Sequence, residues 1–222
     1  WYDLSGNGND GTLYGNPTWG ENYLNFDGEN DYVRIAPFKI NYPTIMAVYE
    51  YKEIQQNDDW VISNLERGGI ALGAPYGWNV FQAYVGGYKA VESNEIGVGK
   101  KYCLIGTYTG TQLTLYDNGK KYELKDVVGK VSNPSQSMIL GGNPYNHAPE
   151  GAVFSGKIYA IKIFDRSLTD EEILKEYEIN ILKVSKDDKG TKIVQNLADA
   201  FNDLLGIIET LTGEWEKVTA SE

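Results

Sequence analysis

This 222-residue chain is short of cysteine, histidine and positive charge, and each shortage excludes something. One cysteine, Cys103, cannot form an internal disulfide, and one cysteine with one histidine cannot close a zinc site unaided. In YCLIGTY, Cys103 reads as a small buried core residue. The 20 Lys and Arg stand against 31 Asp and Glu, a net charge of −11. Such a chain lacks the basic surface that displaces counterions from nucleic acid or docks on anionic lipid. Neutral and cationic partners stay open. No apolar run approaches the ~20 residues needed to cross a bilayer, so membrane insertion is not expected. There is no G-x-S-x-G and no paired nucleophile. His147, in a presumed loop with Asn146 and Pro149, reads as solvated and not catalytic. The chain opens on Trp1 without an initiator methionine, so it is expected to be part of something longer.

What is present is turn-rich and aromatic, with 25 glycines and 17 tyrosines, the composition of a β protein. WYDLSGNGNDGTLYG packs Ser-Gly, Asn-Gly and Asp-Gly between apolar residues and predicts a rigid series of turns with no ligand. Tyr23 to Ala36 reads as two short strands around an acidic turn at residues 27–31. Further strands are expected at Thr44 to Lys52, Trp60 to Asn64, Ile70 to Leu72, Asn79 to Val85, Lys101 to Tyr108 and Ser137 to Gly142. A loop is expected from Pro144 to Glu150. Asn118-Gly119, between the alternating runs of LTLYDNGKKYE, predicts a type I′ hairpin. FSGKIYAIKIF predicts a strand with a face in a core, and the period then changes. Thr169 with Glu172 three residues on forms a capping box, and Asp170 and Glu171 suit the positive end of a helix dipole. Ile173, Leu174 and Tyr177 are expected to supply the apolar face of that helix.

Several of these segments, taken in order, resemble laminin G-like modules of the concanavalin A-like lectin and glucanase superfamily. The opening WYDLSGNGNDGT, the stretch LNFDGENDYVRI, the strand YCLIGTY and the hairpin LTLYDNGK match that family, as does the closing segment with Gly156, Phe164, Arg166, Leu168, Thr169, Glu172 and Ile173. The resemblance implies a mainly β fold, an antiparallel jelly-roll β-sandwich over residues 1–180; beyond it the apolar spacing predicts a C-terminal α-helical, coiled-coil-like extension over 181–222. Glucanases of the superfamily carry E-x-D-x-E on one strand. Here Glu29-Asn30-Asp31-Tyr32-Val33 stops where the second Glu would stand, and Glu171 and Glu172 belong to a helix cap. The chain is therefore read as non-enzymatic.

Two candidate sites follow. Asp27, Asn30 and Asp31 offer oxygen ligands in one tight turn, the donor type calcium takes. Some relatives bind calcium near this turn with help from an acidic residue in the closing strand. This chain has Tyr159 and Ala160 there, which leaves such a site undersupplied, and solvated turn carboxylates are the alternative. Trp60, Tyr76, Trp78, Tyr84, Tyr88 and Tyr145 fall in or beside predicted loops. Flat aromatic faces stack on sugar rings while neighbouring Asn, Gln and Asp hydrogen-bond the hydroxyls. Trp78 and Tyr76, in GAPYGWN, are the foremost candidates, and some of the six are expected to be ordinary core.

The tail after Lys186 to Gly190 has a 3,4 apolar seam: Val194, Phe201, Ile208 and Trp215 at a, and Leu197, Leu204, Leu211 and Val218 at d. Gly206 and Gly213 fall at f. A broad stripe with aromatic a residues predicts a homotrimer, and a helix folded back on the sandwich is the alternative. Together these readings predict a glycan-binding adhesion module shown as an oligomer on a phage virion, such as a tail fibre, or on a bacterial surface protein. A virion decoration or assembly protein without a glycan ligand is the second reading, and an accessory domain of a larger glycan-cleaving enzyme the third.

Overall fold

The computed structural model describes residues 1–54, 59–66, 68–145 and 148–185. Residues Trp1–Asn180 form one compact unit and Ile181–Glu222 a second, of which only the end of a helix is described. The a/d seam of the tail and the histidine loop at 146–147 lie outside the described residues.

Among the described residues sixteen strands and one helix follow in order. The first are β1 (Thr12–Tyr14), β2 (Thr18–Trp19), β3 (Leu24–Asp27), β4 (Tyr32–Ile35), β5 (Thr44–Glu53), β6 (Trp60–Ser63), β7 (Ile70–Gly73) and β8 (Trp78–Tyr84). Then come β9 (Tyr88–Glu95), β10 (Lys101–Tyr108), β11 (Gln112–Asp117), β12 (Lys120–Lys125), β13 (Met138–Leu140), β14 (Gly142–Tyr145), β15 (Ala148–Val153), β16 (Ser155–Phe164) and the helix α1 (Asp170–Ser185). The first sheet has the order β1-β4-β13-β6-β7-β8-β9, and the second β12-β11-β10-β5-β16-β3-β2. Every pairing is antiparallel, and β14-β15 is a separate hairpin.

Period-2 alternation decides which side chains fill the space between the sheets. Ile45, Ala47, Tyr49 and Tyr51 of β5 and Leu104 of β10 enter that core, against Ile70, Leu72, Phe81 and Ala83 of the first sheet. The intervening residues Met46, Val48, Cys103 and Ile105 are buried as well, so the second sheet is covered on both faces. The cover is α1. Tyr116 Oη and Lys121 Nζ donate to the Asp170 carboxylate at 2.6 and 2.9 Å, and Lys162 pairs with Glu176 at 2.5 Å. The backbone N–H of Leu168 donates to Thr44 Oγ1 at 2.9 Å, which fixes where the helix begins.

The capping box forms in both directions: Glu172 N–H donates to Thr169 Oγ1 at 3.3 Å, and Thr169 N–H donates to Glu172 Oε2 at 2.9 Å. Ile173 is buried, but Leu174 is 47% exposed, because a residue one step round the helix from Ile173 leaves the face that Tyr177, four steps on, shares. The Asn118-Gly119 turn is the expected one, with φ of 48° and 82° and Asp117 facing Lys120. Residues 144–150, expected as a loop, instead belong largely to the β14-β15 hairpin, and Tyr88 begins an edge strand. Both segments are rich in Gly, Pro or charge, which hides a strand whose edge stays unpaired.

Candidate functional site

With α1 on the second sheet, the outer face of the first sheet is the broad face left to loops and strand side chains. Along β8 the core takes Phe81 and Ala83, so Val80, Gln82 and Tyr84 point outward, and the register sets Tyr84 opposite Tyr88 and Gln82 opposite Ala90. A small apolar cluster of Trp60, Leu65, Ala71 and Val80 forms the floor of this face, with Tyr84 and Ala90 packed against it. The β14-β15 hairpin is tied to β6, with Ser63 Oγ and Asn143 Oδ1 2.6 Å apart.

The structure sorts the six aromatic candidates. Tyr76 and Trp78 form one pair, with ring centroids 5.8 Å apart, and are 48% and 37% exposed. Tyr84 and Tyr88 form a second pair, edge to face at 5.0 Å. Trp78 and Tyr84 are six strand steps apart, so the pairs are separated by roughly 20 Å along β8. Tyr145 is half exposed at the end of β14, and among the described residues no ring contact joins it to either pair. Trp60 is a correction: it is 2% exposed and belongs to the floor, not to a binding surface. Its partner across the ladder is Gly73, where a Cβ would lie 2.6 Å from the Val61 backbone nitrogen.

Two core tyrosines of β5 hold the first pair in place. Tyr51 Oη donates to the Asp59 carbonyl at 2.7 Å and accepts from Ala74 N–H at 3.2 Å. Ala74 opens the turn that carries Tyr76, closed by Gly77 N–H donating to the Ala74 carbonyl at 3.2 Å. Tyr49 Oη donates to Asn79 Oδ1. Asn79 Nδ2 and Ser93 Oγ then donate to Asp117 Oδ2 at 2.9 and 2.5 Å. Trp78 thus stands between two buried anchors, and burial lifts both tyrosine hydroxyls well above their ordinary pKa, so they remain donors. Sequence reasoning missed Tyr49, Tyr51, Asn79 and Asp117. The available signal was the pair of tyrosines at core parity in TIMAVYEYK, since a buried phenol needs a partner. Tyr14, stacked on Tyr32 at 4.7 Å, has Arg34 4.6 Å from its ring and is occupied by its neighbours.

The acidic turn directs three of its carboxylate oxygens to backbone amides. Asp31 is buried and accepts from Asn16 N–H at 2.6 Å and Asp27 N–H at 3.0 Å. Asp27 Oδ1 accepts from Glu29 and Asn30 N–H at 2.8 and 3.2 Å. Partial burial works against the Asp27 charge, but these backbone donors prevail and hold its carboxyl below the ordinary value. Gly15 closes the loop: a Cβ there would lie 2.5 Å from Asp31 Oδ1. Among the described residues no group of three or more His, Cys, Asp or Glu could hold a metal ion. Calcium takes six to eight oxygens, more than the side chains of Asp27, Asn30 and Asp31 supply by themselves.

Two facing antiparallel sheets with one face covered by a terminal helix and aromatics displayed on the other define a lectin-type sandwich. The chain belongs to the concanavalin A-like lectin/glucanases superfamily, the Laminin_G_3 model matching residues 27–174. No curated protein matches the chain. Among solved structures it is similar to the receptor binding domain of botulinum neurotoxin C/D mosaic serotype, with a TM-score of 0.64 and 16% identity over 81% of this chain and 48% of that one. It is also similar to the botulinum neurotoxin serotype D ligand binding domain in complex with N-acetylneuraminic acid, at 0.62 and 18% over 81% and 48%. A third is domain 4 of AbnA, a GH43 extracellular arabinanase from Geobacillus stearothermophilus in complex with arabinotriose, at 0.56 and 18% over 77% and 89%. The chain spans about half the length of the toxin domains, and identities this low establish the fold alone.

Proposed function

We propose that the chain is a non-enzymatic recognition module that binds glycans on the outer face of the first sheet, with Tyr76 and Trp78 as the stacking platform. The observation that carries this is the half-exposed Tyr76–Trp78 pair held rigid from below by Tyr49 and Tyr51. A sugar ring meets a pre-set aromatic surface at little ordering cost. Tyr84, Tyr88 and Tyr145 offer further contact, and Gln82 and Asn143 supply amide groups between them. Exposed Glu92 and Glu95 beside β8, with a net charge of −11, favour neutral over anionic sugars. Similarity to domains solved with N-acetylneuraminic acid and with arabinotriose is consistent with sugar recognition.

In this reading residues 1–180 recognise and residues 181–222 gather copies through the seam from Val194 to Val218, on a virion or cell-surface protein. Several weak sites then act together and raise avidity without new contacts. The match to nearly all of an arabinanase domain supports a second reading, an accessory module of a larger glycan-cleaving enzyme. A glycan array, followed by titration of the best neutral ligand, tests the site. Trp78→Ala is expected to weaken binding at least about tenfold, roughly 1.4 kcal/mol. Unchanged affinity removes Trp78 from the site. Analytical ultracentrifugation of the full chain and of residues 1–185 tests the tail: a trimer that becomes a monomer is expected, and a monomer in both ends the oligomer reading.

A further inference from the structure

Strict alternation along β9 would put Glu92 and Glu95, three residues apart, on opposite faces of the first sheet. A β-bulge brings them to the same one. Trp78 faces Glu95 and Val80 faces Glu92, so Ser93 and Asn94 together stand against the single residue Asn79. Both bulge residues turn toward the second sheet, where Ser93 Oγ donates to Asp117 Oδ2 at 2.5 Å and Asn94 Nδ2 donates to Tyr122 Oη at 2.6 Å. Val80 belongs to the outer floor, and cross-strand partners share a face, so Trp78, Glu92 and Glu95 all stand on the outer side. Ile96 N–H donates to the Gly77 carbonyl at 2.9 Å, which holds Glu95 beside the turn that carries Tyr76.

Both glutamates are exposed, and among the described residues neither has a hydrogen bond or an ion pair. The other outward residues of the two strands, Gln82, Tyr84, Tyr88 and Ala90, are uncharged, and Lys89, opposite the core residue Ala83, belongs to the inner face. Two like charges on one face repel each other, and a bound cation relieves the repulsion. The exposed rings of Tyr76 and Trp78 add to that attraction, since an aromatic quadrupole draws a cation while its flat face still stacks on a sugar. We infer that the sugar on this platform carries a free, protonated amino group that meets Glu95 and Glu92, which makes the ligand class an amino sugar without an N-acetyl group. The inference rests on the glycan reading above. A neutral sugar leaves both carboxylates unused, and an acidic one is repelled by them. A lysine side chain brings the same ammonium but no ring to cover the two aromatic faces.

Titration of the full chain with a glucosamine trisaccharide, and with the same trisaccharide fully N-acetylated, tests this at mildly acidic pH, where the amines are protonated and exposed glutamates stay ionised. Calorimetry reads the affinities and NMR the Trp78 indole. The free-amine form is expected to bind at least about fivefold tighter, from two exposed charge pairs and a cation–π contact, and the preference should shrink as salt is raised. In a Glu92→Gln and Glu95→Gln double variant the preference is expected to disappear. Equal affinities in the parent chain, with Trp78 shifting in both titrations, overturn the amine inference and leave the sugar platform standing. A preference that survives in the double variant overturns it too, and so does an Nα-acetyl-lysine amide that competes as well as the amino sugar, because the ring then contributes nothing. Failure of the underlying glycan reading looks different: neither trisaccharide and no sugar on the array moves Trp78, and both proposals fall together.

Discussion

Replacing Trp60 by alanine separates the floor of the candidate site from its working surface. Trp60 is 2% exposed and packs with Leu65, Ala71 and Val80 on the outer side of the first sheet. A buried tryptophan removes 150–250 Å² from water, about 4–6 kcal/mol at 25 cal/mol/Å². Measured Trp→Ala costs in cores are about 3–5 kcal/mol, since neighbours collapse only partly into the cavity. For a chain of this size that lowers Tm by roughly 6–20 °C. Urea and thermal unfolding followed by circular dichroism measure the loss, and Trp60→Phe should fall between the two. Trp78→Ala, at a position 37% exposed, is expected to cost less than about 1 kcal/mol. If Trp60→Ala unfolds within 1 kcal/mol of the parent, or the two variants lose equal stability, the assignment of floor and platform is wrong.

Other outcomes follow from the same packing. Gly156 has φ of 153°, and a Cβ there would lie 2.1 Å from the Glu50 carbonyl oxygen. Gly156→Ala should therefore cost at least about 2 kcal/mol in chemical denaturation, and a neutral substitution would contradict the close approach of β16 to β5. The Arg166 guanidinium, together with Thr169 N–H, holds the Glu172 carboxyl down at about 2. A carboxyl lowered on folding stabilises the fold fully above its ordinary value of 4.5 and loses that contribution as pH falls toward 2. The urea midpoint should drop across this window, less steeply in Glu172→Gln, and identical slopes would refute the link. Millimolar calcium should leave Tm unchanged, since both carboxylate oxygens of Asp31 and Oδ1 of Asp27 already serve backbone amides. A calcium-dependent rise would show that the turn reopens.

Much of the fold was legible because its signals are local. Thr169 with Glu172, and Asn118 with Gly119, act within a few residues, so chemistry read from sequence matches the geometry. The missed features depend on what another element covers. Nothing in the string YKAVESNE marks β9 as a strand until β8 pairs with it, and the prolines of β14 and β15 are tolerated because that hairpin stands outside both large sheets. Trp60 and Trp78 are the same residue type at the starts of two strands, yet one is floor and the other surface. Leu174 was placed with Ile173 by composition, and the angle between successive helix residues separates them. The aromatic candidates were recognisable by type, whereas their division into two pairs needed the register of β8 with β9.

The chain has five tryptophans, Trp1, Trp19, Trp60, Trp78 and Trp215, so their indole N–H resonances report directly on where a sugar lands. Titration with the best neutral glycan is predicted to shift Trp78 most, to leave Trp1 and Trp19 in place, and to move Trp60 only slightly from beneath. A saturable shift centred on Trp1, Trp19 or Trp215, with Trp78 unmoved, would contradict a sugar site on the outer face of the first sheet.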